Sequence, residues 1–189
     1  MVLSARQLSV NYGMRQILNN ASFYLNDGDK VGVVGLNGAR KSTLLRILSG
    51  CEESDTGEVV LTGGCRISYL AQRPAMDPDR TVLEHVMADA QQQEEYECRA
   101  MLLRLGLTDL TQRVDSLSGG QRKRAALAAA LLRSAEQLLL DEPTNHLDAD
   151  MVVWLEDFLR RFKGSLVMIT HDRYFLEHVC NRIVEVDRG

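Results

Sequence analysis

Lys41 and Ser42 are the residues through which this chain could handle a phosphate. They close the run GLNGARKST, residues 35 to 43, near the spacing G-x-x-x-x-G-K-[ST] of a phosphate-binding loop. In such a loop the backbone N–H groups from Gly35 to Lys41 and the N-terminus of the next helix cradle phosphates. Lys41 would reach the β and γ phosphates, and Ser42 would ligate magnesium. Position 40 departs from the pattern, because Arg40 stands where the second glycine belongs. A Cβ there would crowd a phosphate or strain the backbone. On these residues alone, a glycine-rich strand-to-helix turn without a ligand stays open.

Two further clusters could do chemistry. In QLLLDEP, residues 137 to 143, an apolar run ends in two acids. That places Asp141 and Glu142 at the C-terminal edge of a buried strand, where ligands of open α/β sheets bind. Asp141 would hold magnesium, directly or through water, and Glu142 would orient or deprotonate an attacking water. The plain alternative is that both acids cap the next helix. In LSGGQ, residues 117 to 121, Ser118 and Gln121 form an S-x-x-Q capping box, and Gly119 and Gly120 leave bare amides for an anion.

These residues need a frame. KVGVVG reads as a buried strand leading into the loop, and KSTLLRILSG as the helix after it, closed by Gly50. VLSARQLSVNY and ILNNASFYL read as strands, as do EVVLTGG and CRISYLAQ around the turn at Gly63-Gly64. Residues 81 to 105 read as mostly helical, and SGGQRKRAALAAALLRS as an alanine-rich helix. Residues 148 to 162 form an amphipathic helix with Met151, Val152, Leu155, Phe158, Leu159 and Phe162 on one face. SLVMIT and RIVEVD are further strands, with the helix DRYFLEHV between them. The alternation predicts an α/β fold with a parallel-rich sheet and an antiparallel start.

The 189 residues suggest one domain. A net charge of −4 argues against nucleic-acid binding by bulk charge. Arg122-Lys123-Arg124 and Arg160-Arg161-Lys163 are local basic clusters, read as solvated helix faces. The longest apolar run, Ala125 to Leu132, is too short to span a bilayer. Four scattered cysteines without a C-x-x-C pair, and no apolar signal core, lead us to expect a reducing cytoplasm.

LSGGQ followed by LLLDEP resembles the signature and Walker B motifs of ATP-binding cassette (ABC) ATPases, and almost the whole chain follows that order. The resemblance implies a P-loop NTPase fold: an ABC-type nucleotide-binding domain over residues 1 to 189, with an antiparallel β subdomain and a small helical subdomain at about 75–135. It implies ATP and Mg2+ as cofactors. Gly35, Asn37, Gly38, Ala39, Arg40, Lys41, Ser42 and Thr43 then stand as the Walker A contacts, and Ser118, Gly119, Gly120 and Gln121 as the signature. Tyr12 is placed like the aromatic residue that stacks on adenine. Gln72 resembles the Q-loop glutamine, which senses magnesium and the γ-phosphate. Asp148 resembles the D-loop aspartate, and His171 the switch histidine that contacts the γ-phosphate. Glu142 and His171 are thus the expected catalytic residues, and Ser42, Gln72 and Asp141 the expected metal site.

DEPTNHLD and THDRYFL further resemble the ABC-F group, near the first cassette of its Uup-type members. Those proteins carry two cassettes and act on ribosomes in translation. ATP there is sandwiched between the phosphate loop of one cassette and the LSGGQ helix of another. One cassette therefore holds two half-sites, and turnover would need a second cassette, from a homodimer or a tandem domain. Only about Met87 to Arg99 stands where the group's helical arm is inserted, so a reduced arm is expected. An ATPase subunit of a transporter, and a degenerate cassette disabled by Arg40, are the other readings.

Overall fold

The computed structural model describes residues 1–35 and 39–186. The elements run β1 (Leu3–Tyr12), β2 (Arg15–Leu25), β3 (Lys30–Val34), α1 (Ala39–Leu48), β4 (Thr56–Leu61), β5 (Ile67–Leu70), α2 (Val82–Asp89), α3 (Glu95–Arg104), a 3-10 turn at Val114–Ser116, α4 (Gly119–Leu132), β6 (Gln137–Asp141), α5 (Ala149–Arg161), β7 (Ser165–Ile169), α6 (Arg173–Val179) and β8 (Arg182–Glu185). Strands β5-β6-β7-β3-β8 form a parallel sheet, and β2-β1-β4 form an antiparallel one.

Strands β6 and β7 are buried at every position, as central strands of a parallel sheet covered on both faces must be. One apolar cluster lies between the two sheets, where Leu3, Leu8 and Leu25 meet Leu45 and Leu48 of α1. The other lies under the remaining helices and joins Leu102, Leu127, Leu138, Leu155 and Phe175. Helix α5 buries Leu155 and Leu159 fully, with Val152, Phe158 and Phe162 partly covered on the same side. Its C-terminal carbonyls are met by a cation from β3: Lys30 Nζ donates to Leu159 O at 2.7 Å and to Arg160 O. A positive group there offsets the negative end of the helix dipole.

Two expectations are refined. The strands flanking Gly63-Gly64 do not pair with each other; β4 joins β1 antiparallel and β5 joins β6 parallel. Both glycines have positive φ, 72° and 67°, in the stretch that takes the chain from one sheet to the other. The 81–105 segment is two helices, each starting in its own capping box, Thr81 with Glu84 and Glu94 with Glu97. Among the described residues no helix is long and apolar enough to cross a membrane.

Candidate active site

Every strand of a parallel sheet ends on the same edge, so chemistry distributed along the chain is gathered there. Gly35 follows β3, Gln72 follows β5, Asp141 and Glu142 end β6, and His171 follows β7. The strand order sets β6, β7 and β3 side by side, and with them Asp141, His171 and Gly35.

Gly35 has φ 142°, and a Cβ built on it would lie 2.2 Å from the Val186 carbonyl oxygen. The loop can leave β3 this close to the end of β8 only through a glycine. Asn37 and Gly38 lie outside the described residues, as does the Ala39 side chain. Lys41 is 5% exposed, and its Nζ donates to the Gly35 carbonyl at 3.0 Å. The Thr43 hydroxyl, fully buried, is committed to Tyr12 Oη at 3.2 Å and to Arg46 Nη2 at 3.0 Å. Arg46 also donates to Glu52 at 2.7 Å and to Tyr12 Oη at 3.0 Å. Tyr12 therefore stands at the site as an anchored, partly exposed ring, through Arg46 and Glu52, which sequence reading missed.

Arg40 falls in the first turn of α1 and is absent from the residues with positive φ. This corrects the expectation of backbone strain: glycine is not required there by conformation. The Arg40 guanidinium reaches toward the Gln16 carbonyl of β2 at 3.4 Å, in the wall of a cavity of about 310 Å³ formed with Ile17, Phe23, Leu44 and Val184.

Asp141 is 1% exposed, and neither carboxylate oxygen has a hydrogen-bond partner. Burial pushes its pKa up, while Ser42 and then Lys123 nearby favour the charged form. The Ser42 hydroxyl is close enough to ease the charge but is not in hydrogen-bonding geometry with it. Buried carboxylate oxygens without donors are what a cation would complete, so Asp141 and Ser42 fit a magnesium ion. No group of three or more His, Cys, Asp or Glu side chains able to hold a metal stands among the described residues.

Glu142 is 4% exposed and held at φ 53°, rare for a residue with a side chain. Its N–H donates to Ile169 O at 2.8 Å, which fixes the turn off β6. His171 Nε2 faces Glu142 Oε1 at 3.2 Å. Burial raises the Glu142 pKa, and His171 opposes the rise. A buried carboxylate with an elevated pKa beside an exposed imidazole is a pair suited to moving a proton.

Ser118 and Gln121 make the capping box in full: Gln121 N–H donates to Ser118 Oγ at 3.2 Å, and Ser118 N–H to Gln121 Oε1 at 2.9 Å. Gly119 needs no side-chain room, for a Cβ there meets nothing within 4 Å. A Cβ on Gly120 would make only ordinary contact with His146 at 3.4 Å. Asp148 caps α5 by accepting from Met151 N–H at 2.9 Å. Gln72 is exposed and lines a groove with Gly119, Asn145 and His146, with no side-chain bond to Ser42 or Asp141 among the described residues.

The RKR cluster is not a uniform solvated face. Arg122 is exposed, but the helical turn carries Lys123 inward, where it is 5% exposed and donates to Asp141 O at 2.7 Å. Only its helical spacing from the buried Leu127 could have signalled this.

The ABC transporter family model matches residues 18–145. The energy-dependent translational throttle protein EttA of Escherichia coli K12 is 40% identical over 93% of this chain and 39% of its own length. The ATP-binding protein Uup of Buchnera aphidicola is 33% identical over the whole chain and 33% of its own length. The chain thus spans about a third of the curated relatives it matches. The dimeric structure of MJ0796, a bacterial ABC transporter cassette, superposes with a TM-score of 0.85 over 98% of this chain and 94% of that one, at 23% identity. The same cassette bound to ADP and Pi gives 0.83 over 97% and 94%, at 22% identity. By its matched residues and its fold, this chain belongs to the ABC transporter family and is one of its ATPase cassettes.

Proposed function

We propose that this cassette binds MgATP and hydrolyses it at an interface with a second cassette, and that it serves an ABC-F protein acting in translation. The observation that carries the reading is the unpaired, buried Asp141 carboxylate beside the Glu142–His171 pair at the sheet edge. Gly35 through Ser42 would hold the phosphates, with Lys41 against the β and γ oxygens. Asp141 and Ser42, with Gln72 once its side chain turns inward, would hold magnesium, which neutralises phosphate charge when bound. Glu142 orients a water for in-line attack on the γ-phosphorus and takes its proton, so that ADP leaves with its oxygen and free phosphate forms. His171 holds the Glu142 carboxylate and lends a donor to the phosphate.

The interface rests on Gly119 and Gly120. Among the described residues nothing demands a glycine at either position, and bare backbone there suits an approach from outside. The ABC-F assignment rests on DEPTNHLD and THDR together with EttA and Uup among the relatives. Arg40 favours a second reading, a cassette that scaffolds without turnover. Phosphate release measured against protein concentration tests the proposal. Specific activity should rise with concentration as cassettes pair; constant turnover by a monomer would overturn the interface, and no nucleotide binding would select the scaffold.

A further inference from the structure

Lys123 Nζ is buried, and its partners are three backbone carbonyls: Ala71 at 2.8 Å, Gln72 at 3.3 Å and Asp141 at 2.7 Å. An ammonium has three donors, and here each has an acceptor. No ion pair is recorded for it among the described residues, an unusual choice for a buried cation. Its carbonyls sit where the β5–β6 ladder ends, just past the last pair, Leu70↔Leu140. The lysine itself belongs to α4, five residues past the Ser118 cap. One cation therefore joins the start of the glutamine loop, the end of the strand bearing Asp141, and the helix that presents Gly119. Packing alone would be served by an apolar stem of the same length, which could not make these bonds.

We infer that Lys123 is a positioning residue: it locks the backbones of Gln72 and Asp141 to the first turns of α4, so that magnesium and nucleotide at the sheet edge are felt at Ser118, Gly119 and Gly120. The inference rests on the MgATP reading for its ligand but on the three bonds for its geometry. The capping box fixes Ser118 to Gln121, and one further half-turn reaches Lys123, so this turn is bonded end to end. A displacement of the carbonyls when the Asp141 carboxylate gains a cation is thereby transmitted to the end of α4. Groups that hold a metal ligand in place commonly alter metal affinity ten- to a hundredfold when removed.

The test compares the full chain with Lys123→Met, which keeps the stem and removes the donors, and Lys123→Arg, which keeps a cation that can donate. Backbone hydrogen exchange without nucleotide is the first readout. Lys123→Met should speed exchange at residues 71–74, 117–122 and 141–146 together, leaving β1 and β2 unchanged. The magnesium-dependent gain in affinity for a fluorescent ATP analogue, taken against EDTA, is the second. It should fall about tenfold in Lys123→Met and recover, with the exchange, in Lys123→Arg. Unchanged exchange at those segments, an equal rise across the whole chain, an unchanged magnesium gain or a loss that arginine does not restore overturns the inference. If Lys123→Met does not fold, Lys123→Leu, which also has no donor, replaces it under the same criteria. A wild-type chain that binds no MgATP refutes the ATP reading, while the exchange measurement still decides whether the clamp exists.

Discussion

Asp141 carries two buried oxygens without a hydrogen-bond partner among the described residues, and Glu142 beside it is held in a left-handed conformation. Each costs the apo fold stability, the second by about 1 kcal/mol or more. Burial raises the Asp141 pKa, so the folded state binds that proton more tightly than the unfolded chain does. Ionisation at neutral pH therefore destabilises the fold, and protonation relieves it. Asp141→Asn should raise Tm in EDTA at pH 7, by about 2–4 °C for each kcal/mol recovered. The gap should close as pH falls below the ordinary aspartate range, and magnesium should no longer shift the variant's melting point. Thermal melts at two pH values, with and without magnesium, check this; a variant that melts lower than wild type at pH 7 refutes it. Arg40 is the other residue whose effect can be isolated. Arg40→Gly should tighten ATP binding severalfold by clearing the phosphate approach. It should also cost about 0.5–1 kcal/mol of stability, as glycine in a helix does. Parallel nucleotide titrations and urea melts separate the two effects, and equal affinity in the two proteins refutes the crowding.

At the scale of elements, the site is a property of strand ends. The strand-to-helix passage at Gly35 and Ala39, the acid pair at the end of β6 and the S-x-x-Q cap were legible in the sequence because each lies within a few consecutive residues. The parallel sheet was legible from the alternation of fully apolar strands with helices. What was not legible is what joins distant segments. Lys123 finds its acceptors 52, 51 and 18 residues away. The departure of β4 from β5 depends on pairing partners on the far side of the fold. Arg40 meets a carbonyl of β2 that lies 24 residues away. Gly35 shows the same dependence, since only the approach of Val186 gives its missing Cβ a meaning. Gly35→Ala should cost about 2–4 kcal/mol, combining a positive φ with a backbone clash. It should appear as a lower urea midpoint at unchanged m-value, and a loss below about 0.5 kcal/mol would show that the β3 exit can relax.

Across the whole molecule, Lys41 stands in the first turn of α1 and Gly119 opens α4, two helices far apart in the chain. Two copies paired head to tail would build two composite sites, each taking its loop from one copy and its glycines from the other. Lys41→Ala and Gly119→Asp should each be inactive alone. Mixed, they should recover activity: in a heterodimer both lesions fall into one site, and the other is assembled from intact halves. The expected yield at equal mixing, with random pairing and sites that fire independently, is about a quarter of wild-type turnover. No recovery on mixing would show that the sites cannot work singly or that the copies do not pair. In copies paired this way, through a Gly119 whose Cβ position is open among the described residues, one chain's defect would be completed by the other's intact half, so that a lesion's severity would depend on which partner it meets.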